Sequence, residues 1–163
     1  MASEYSFDIV SKLNMAEVEN ALNQARKEVQ TRFDFKGSNP GIEIQDKSIL
    51  LTAGSSMALQ NLLDVVLVKL TKRNVSLKFF EIGEEKSTSK GAVKQSLEFK
   101  EGITREEAKR LVDLIKKNGI KVKTQIQDER LRVTSKVKDD LQKVIQLAEK
   151  NEGAFPFQFV NYN

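Results

Sequence analysis

Apolar positions change period twice within the first third of the chain. In SFDIV, residues 6–10, Phe7 and Ile9 alternate with polar neighbours as in a half-buried strand. Val18, Ala21, Leu22 and Ala25 then recur at the three- and four-residue spacing of a helical stripe. Asn14 and Glu17 precede that stripe at capping-box spacing, which predicts a helix start there. The passage is written again at an offset of 90: SLEFK (96–100) alternates, Thr104 and Glu107 form the cap, and Ala108, Leu111, Val112 and Ile115 form the stripe.

Beyond that helix the offset drops to 82. IQDKSILLTA (44–53) overlies IQDERLRVTS (126–135), and each reads as a hairpin turning at Asp46-Lys47 or Asp128-Glu129. Leu59, Leu62, Leu63 and Val66 overlie Leu141, Val144, Ile145 and Ala148 as second helices, and Val75 and Leu77 overlie Phe157 and Phe159 as closing strands. Each copy is strand, helix, strand, strand, helix, strand, which predicts an α+β protein made by tandem duplication of a ferredoxin-like βαββαβ unit. The expected units are 1–82 and 83–163, each a four-stranded antiparallel sheet with two helices on one side. GEEKSTSKG (83–91) reads as a polar linker or exposed loop between them.

The difference between 90 and 82 leaves eight extra residues in the first copy, around RFDFKGSNP (32–40). Phe33 continues the helical stripe after Val29 and is expected to plug the helix end. Phe35 does not follow that stripe. Together with Arg32 and Lys36 it has two readings, a structural plug or an aromatic on which a ligand stacks between cations.

Composition removes whole classes of chemistry. With no cysteine and no histidine among 163 residues, disulfides, thiolate metal sites and histidine-based triads are excluded. The longest apolar run is too short for a membrane span, and MASEYS lacks the pattern of a secretory signal, so a cytoplasmic protein without a membrane partner is expected. The net charge is +4, and all of it falls in the second half: residues 83–163 hold 17 Lys/Arg and 13 Asp/Glu, against 10 and 10 in residues 1–82. That asymmetry points to an anionic partner for the second copy.

Alternation places that charge. In Lys121 to Gln127, Val122 and Ile126 are the inward set, so Lys121, Lys123, Gln125 and Gln127 face outward. In the next strand Leu131 and Val133 point inward, and Arg130 and Arg132 outward. Arginine binds phosphate bidentately and glutamine reads a base edge. Lys136 adds a cation where a helix N-terminus favours anions. A solvated basic sheet face, or one covered by the other half, accounts for the same pattern. The equivalent face of the first copy, with Glu43, Gln45, Ser48 and Thr52, is not basic. No third strand carries an aromatic, and Phe7 and Phe99 are in phase with the inward residues, so base stacking on the sheet in the manner of RNA-recognition domains is not expected. No phosphate-loop spacing is present, and Glu106, Glu107, Asp139 and Asp140 fall in first helical turns, where the helix dipole accounts for them.

Taken in order, SFDIV, RFDFKG, QIQ, RVTSK followed by KDDLQ, and PFQFVNY (156–162) resemble the YajQ family of bacterial cytoplasmic nucleotide-binding proteins across essentially the whole chain. The resemblance implies tandem RNP-like domains, an exchange of first strands between them as one possible arrangement, and binding of a purine nucleotide such as ATP, GTP or a cyclic dinucleotide, with RNA also proposed. It implies no enzymatic activity and no cofactor. One departure stands at the second hairpin, where many relatives resemble QIQGDE and this chain has Asp128-Glu129. Two functions follow as expectations: a non-enzymatic nucleotide- or RNA-binding regulator, and a protein-interaction module whose basic face docks an acidic partner. An anionic ligand is expected on Lys121, Lys123, Arg130 and Arg132, joined by Arg32, Phe35 and Lys36 if the insertion reaches that face.

Overall fold

A computed structural model describes residues 4–32, 40–152 and 156–163. The described elements run β1 (Tyr5–Val10), α1 (Met15–Thr31), β2 (Gly41–Gln45), β3 (Ser48–Ala53), α2 (Ser56–Lys72), β4 (Phe80–Ile82), β5 (Lys86–Ser87), β6 (Val93–Phe99), α3 (Arg105–Lys117), β7 (Lys123–Gln127), β8 (Arg130–Ser135), α4 (Lys138–Lys150) and β9 (Gln158–Val160). The fold is α+β with two antiparallel sheets, in keeping with a duplicated βαββαβ unit. Both predicted caps form: Asn14 accepts from the Glu17 N–H and Thr104 from the Glu107 N–H.

The chain divides into two compact units, a split unit of Met1–Lys12 with Glu101–Asn163 and a continuous unit of Leu13–Lys100. In the split unit the strand order is β7-β8-β1-β9; in the continuous unit it is β2-β3-β6-β4, with β5 also paired to β6. Each sheet therefore takes its first strand from the other sequence copy. The interchange is sterically simple because the two strands alternate in the same phase: Phe7 and Ile9 on β1, Leu97 and Phe99 on β6, all buried.

In the split unit Phe7, Ile9, Leu131 and Val133 meet Ala108, Leu111 and Ile115 of α3 and Leu141, Val144 and Ala148 of α4 in one core, so the helices cover one face of the sheet. Gly102 sits there at φ +94, a backbone conformation that favours glycine, and the nearest neighbour of a Cβ on it would be the exposed Glu129 side chain at 2.9 Å, which is free to turn aside. In the continuous unit the buried residues are again the alternating strand positions Ile49, Leu51, Leu97 and Phe99 and the helical stripes Val18, Ala21, Leu22 and Leu59, Leu62, Val66.

Three expectations are corrected. Of the two readings of 83–91, the linker is set aside and the exposed loop holds: the stretch is largely exposed, but Lys86 pairs with Lys94 and Ser87 with Val93, closing a hairpin inside the continuous unit. Val75 and Leu77 are not the closing strand. Asn74 adopts φ 61, its N–H donates to the Thr71 carbonyl and the Val75 N–H to the Leu70 carbonyl, a Schellman cap that uses Val75 as its buried apolar contact. Leu77 enters a 3₁₀ turn, and the strand begins at Phe80. Finally, the charge asymmetry of the sequence halves disappears in space. Lys86, Lys90, Lys94 and Lys100 belong to the continuous unit, which holds 13 basic and 11 acidic residues against 14 and 12 in the split unit.

Candidate functional site

The β7–β8 hairpin carries most of the predicted site. Its register pairs Gln125 with Arg132 and Gln127 with Arg130, and its loop is Asp128-Glu129, with Asp128 in the left-handed region at φ 30. Leu131 and Val133 are buried against the helices, so Arg130 and Arg132 stand on the opposite face, with Lys123, Gln125 and Gln127 beside them. Ile126, expected inward, is 37% exposed because β7 is an edge strand. Lys121, Lys123 and Lys136 line a groove of about 420 Å³ with Val122, Thr134, Ser135 and Val137, and the carboxylates of Glu4 and Asp140 lie at the same groove.

The arginines have a partner that alternation within the second copy does not show. Asp8, on the strand next to β8, lies opposite Arg132 and is inaccessible to solvent. Its Oδ1 accepts from Arg132 Nε at 3.0 Å, and its Oδ2 accepts from Arg130 Nη1 at 3.2 Å and from Asn161 Nδ2 at 2.8 Å. Arg130 Nε also donates to Gln127 Oε1 at 3.1 Å. Burial pushes the Asp8 carboxyl up, but hydrogen bonds from Arg132 and Asn161 and the charges of both arginines outweigh it and hold its pKa below the ordinary value. Two cations and one anion leave this cluster with a charge of +1, and the guanidinium groups remain 42% and 36% exposed.

With this geometry in place, the chain can be set beside known proteins. Residues 5–163 match the family profile described as "Nucleotide-binding protein YajQ-like". The chain belongs to the YajQ family. It is 51% identical over 164 residues to a protein of Carboxydothermus hydrogenoformans named "Nucleotide-binding protein", covering 99% of each chain. A protein of the same name from Desulfitobacterium hafniense, and "Nucleotide-binding protein BcerKBAB4_1061" from Bacillus mycoides, are 44% and 43% identical over 162 residues, again with 99% of each chain covered.

Four of the segments that resemble the YajQ family meet at this face: Asp8 comes from SFDIV, Gln125 and Gln127 from QIQ, Arg132 and Lys136 from RVTSK, and Asn161 from PFQFVNY. The fifth, RFDFKG, begins with Arg32, the C-cap of α1 in the continuous unit, whose Nη1 lies 3.4 Å from Glu28. The Lys69 hydrogen bond, against a smaller opposing push from burial and with the charges of Lys69 and Arg32, holds Glu28 below the usual carboxylate range. Phe33, Phe35 and Lys36 lie outside the described residues.

Asp139 and Asp140 occupy the first turn of α4, as Glu106 and Glu107 do in α3, and Asp140 pairs with Lys143 at 3.7 Å. Val137, the N-cap of α4, offers no side-chain acceptor, and its own N–H goes to Ser135 Oγ. The aromatics of the split sheet lie on the helix side: Phe7 makes an edge contact with Phe159 and a stacked contact with Tyr162, both at 5.9 Å between ring centres. Asp8 and Asn161 are the residues that sequence reasoning missed. The available signal was an aspartate at the outward phase of SFDIV, uninformative until that strand's neighbour was known.

Proposed function

We propose that this chain is a non-enzymatic nucleotide-binding protein with a regulatory role, and that the split sheet's outward face holds the ligand's phosphates. The supporting observation is the pairing of Gln125 with Arg132 and Gln127 with Arg130 beside the groove of Lys121, Lys123 and Lys136, which gathers five cations and two amides in one unit. Lysine contributes mobile point charge and arginine directional donors, the combination that phosphate needs, while Gln125 supplies hydrogen bonds to a base edge. The ligand class is a purine nucleotide, ATP, GTP or a cyclic dinucleotide, and RNA offers the same phosphate chemistry. The names of the relatives favour this reading over a reaction. Of the two carboxylates at the groove, Asp140 belongs to the first turn of α4 and Glu4 immediately precedes β1, and ligand occupancy, not turnover, is the output.

The test is a calorimetric titration of the intact chain with ATP, GTP, a cyclic dinucleotide and a short RNA at several salt concentrations. Binding that weakens with salt, and that drops sharply when Lys121, Lys123 and Lys136 are all changed to alanine, is the expected result. No binding of any phosphate-bearing ligand at low salt would sink the proposal. A module that only docks an acidic protein would ignore free triphosphate. Hydrolysis of ATP or GTP above background would overturn the non-enzymatic part.

A further inference from the structure

We propose that Asp8, backed by Asn161, is a positioning residue for the anion-binding face: it fixes Arg130 and Arg132 in place and offsets part of their charge before any ligand arrives. The inference rests on the function proposed above. A guanidinium carries five N–H donors. Arg132 spends one of them on Asp8, while Arg130 spends one on Asp8 and one on Gln127. Both groups keep unspent donors and are roughly 40% exposed, whereas the carboxylate that holds them has no access to solvent. The anion is therefore reserved for the protein's own cations, and the donors left over are reserved for something outside.

A ligand meeting two freely moving arginines must immobilise both, and each rotamer-rich side chain so ordered costs affinity. Here folding has already ordered them. The arrangement also separates the face into two kinds of cation: arginines partly neutralised and set in direction, and the lysines of the groove, which carry the long-range attraction. Asp8 belongs to β1, so the arrangement exists only when the chain's first strand is docked beside β8.

The test uses the full chain and inorganic pyrophosphate. Asp8→Asn keeps the size of the side chain and makes the face more positive. On charge alone it would bind pyrophosphate more tightly. Loss of positioning predicts the reverse, binding about 5- to 30-fold weaker near 0.15 M salt, with a steeper dependence on salt because the arginines are no longer offset. Tighter or unchanged binding by a folded Asp8→Asn protein would overturn the inference while leaving the proposed function standing. Failure of the wild type to bind pyrophosphate or ATP would remove both. A second measurement needs no variant. The Arg132 Nε–H resonance should exchange slowly with solvent in the free protein and stay protected with pyrophosphate bound. Fast exchange, or loss of protection on addition of pyrophosphate, would show that Asp8 does not hold the arginine.

Discussion

Arg132 Nε and Asp8 Oδ1 lie 3.0 Å apart although 124 residues separate them in the chain. The pair is lopsided: the carboxylate is fully buried and the guanidinium is 36% exposed. Removing the acid leaves cations that water can still solvate, whereas removing the cations strands a buried charge. Asp8→Ala should therefore cost about 2 to 3 kcal/mol, and Arg130→Ala with Arg132→Ala together about 3 to 5 kcal/mol. Urea unfolding of the variants checks the order. Equal costs would show that Asp8 is solvated once the arginines are gone.

The same cluster sets an acid limit on stability. Hydrogen bonds and arginine charges outweigh burial and keep the folded pKa of Asp8 below the ordinary 3.8. The unfolded chain then binds the proton more readily than the folded one. The stabilisation is complete above the unfolded value and is lost as pH falls through the folded one. Below about pH 4 the wild type should lose stability more steeply than Asp8→Asn, which has no proton to take up at this site. Parallel stability curves between pH 5 and pH 2 would rule this out.

Asp128 turns the β7–β8 hairpin at φ 30, and Asp46 turns the equivalent hairpin at φ 51. Side chains other than glycine pay a steric cost at such angles, and aspartate is among those that tolerate them best. Asp128→Gly should be stabilising by about 0.5 kcal/mol or neutral, and Asp128→Val destabilising by about 1 to 2 kcal/mol. Thermal melts distinguish the two; a tolerated valine would mean the hairpin re-forms with another turn.

Asn74 holds the Schellman cap of α2 at φ 61. Asn74→Ala should cost about 1 kcal/mol, and Asn74→Gly should cost nothing or raise the melting temperature. If alanine matches glycine, the left-handed cap is not contributing.

The sequence leaves Phe35 two roles, a stacking platform or a plug, and binding measurements separate them. If it stacks on a base, Phe35→Ala weakens nucleotide binding by roughly 5- to 150-fold with little change in salt dependence. If it plugs the helix end, the variant melts several degrees lower and binds as well per folded molecule.

The sequence by itself determined the repeating unit, because periods of two and of three to four are local properties of a chain, and caps such as Asn14 and Thr104 need only neighbours three residues away. It determined the outward rows of β7 and β8 for the same reason: alternation fixes a side chain's face once a strand exists. Local pattern did not locate the end of α2, where Val75 is apolar enough for a strand yet closes a helix cap. Nor could it decide which strand lies beside β8. Asp8 and Glu98 occupy equivalent positions in the two copies, each an acid between apolar neighbours, and either satisfies the pattern. Tertiary structure placed Asp8 beside Arg132, and Glu98 between Ser48 and Glu81. That choice decides whether the arginines are free or held, because their charges are partly offset by a residue more than 120 positions away in sequence and a hydrogen bond away in space.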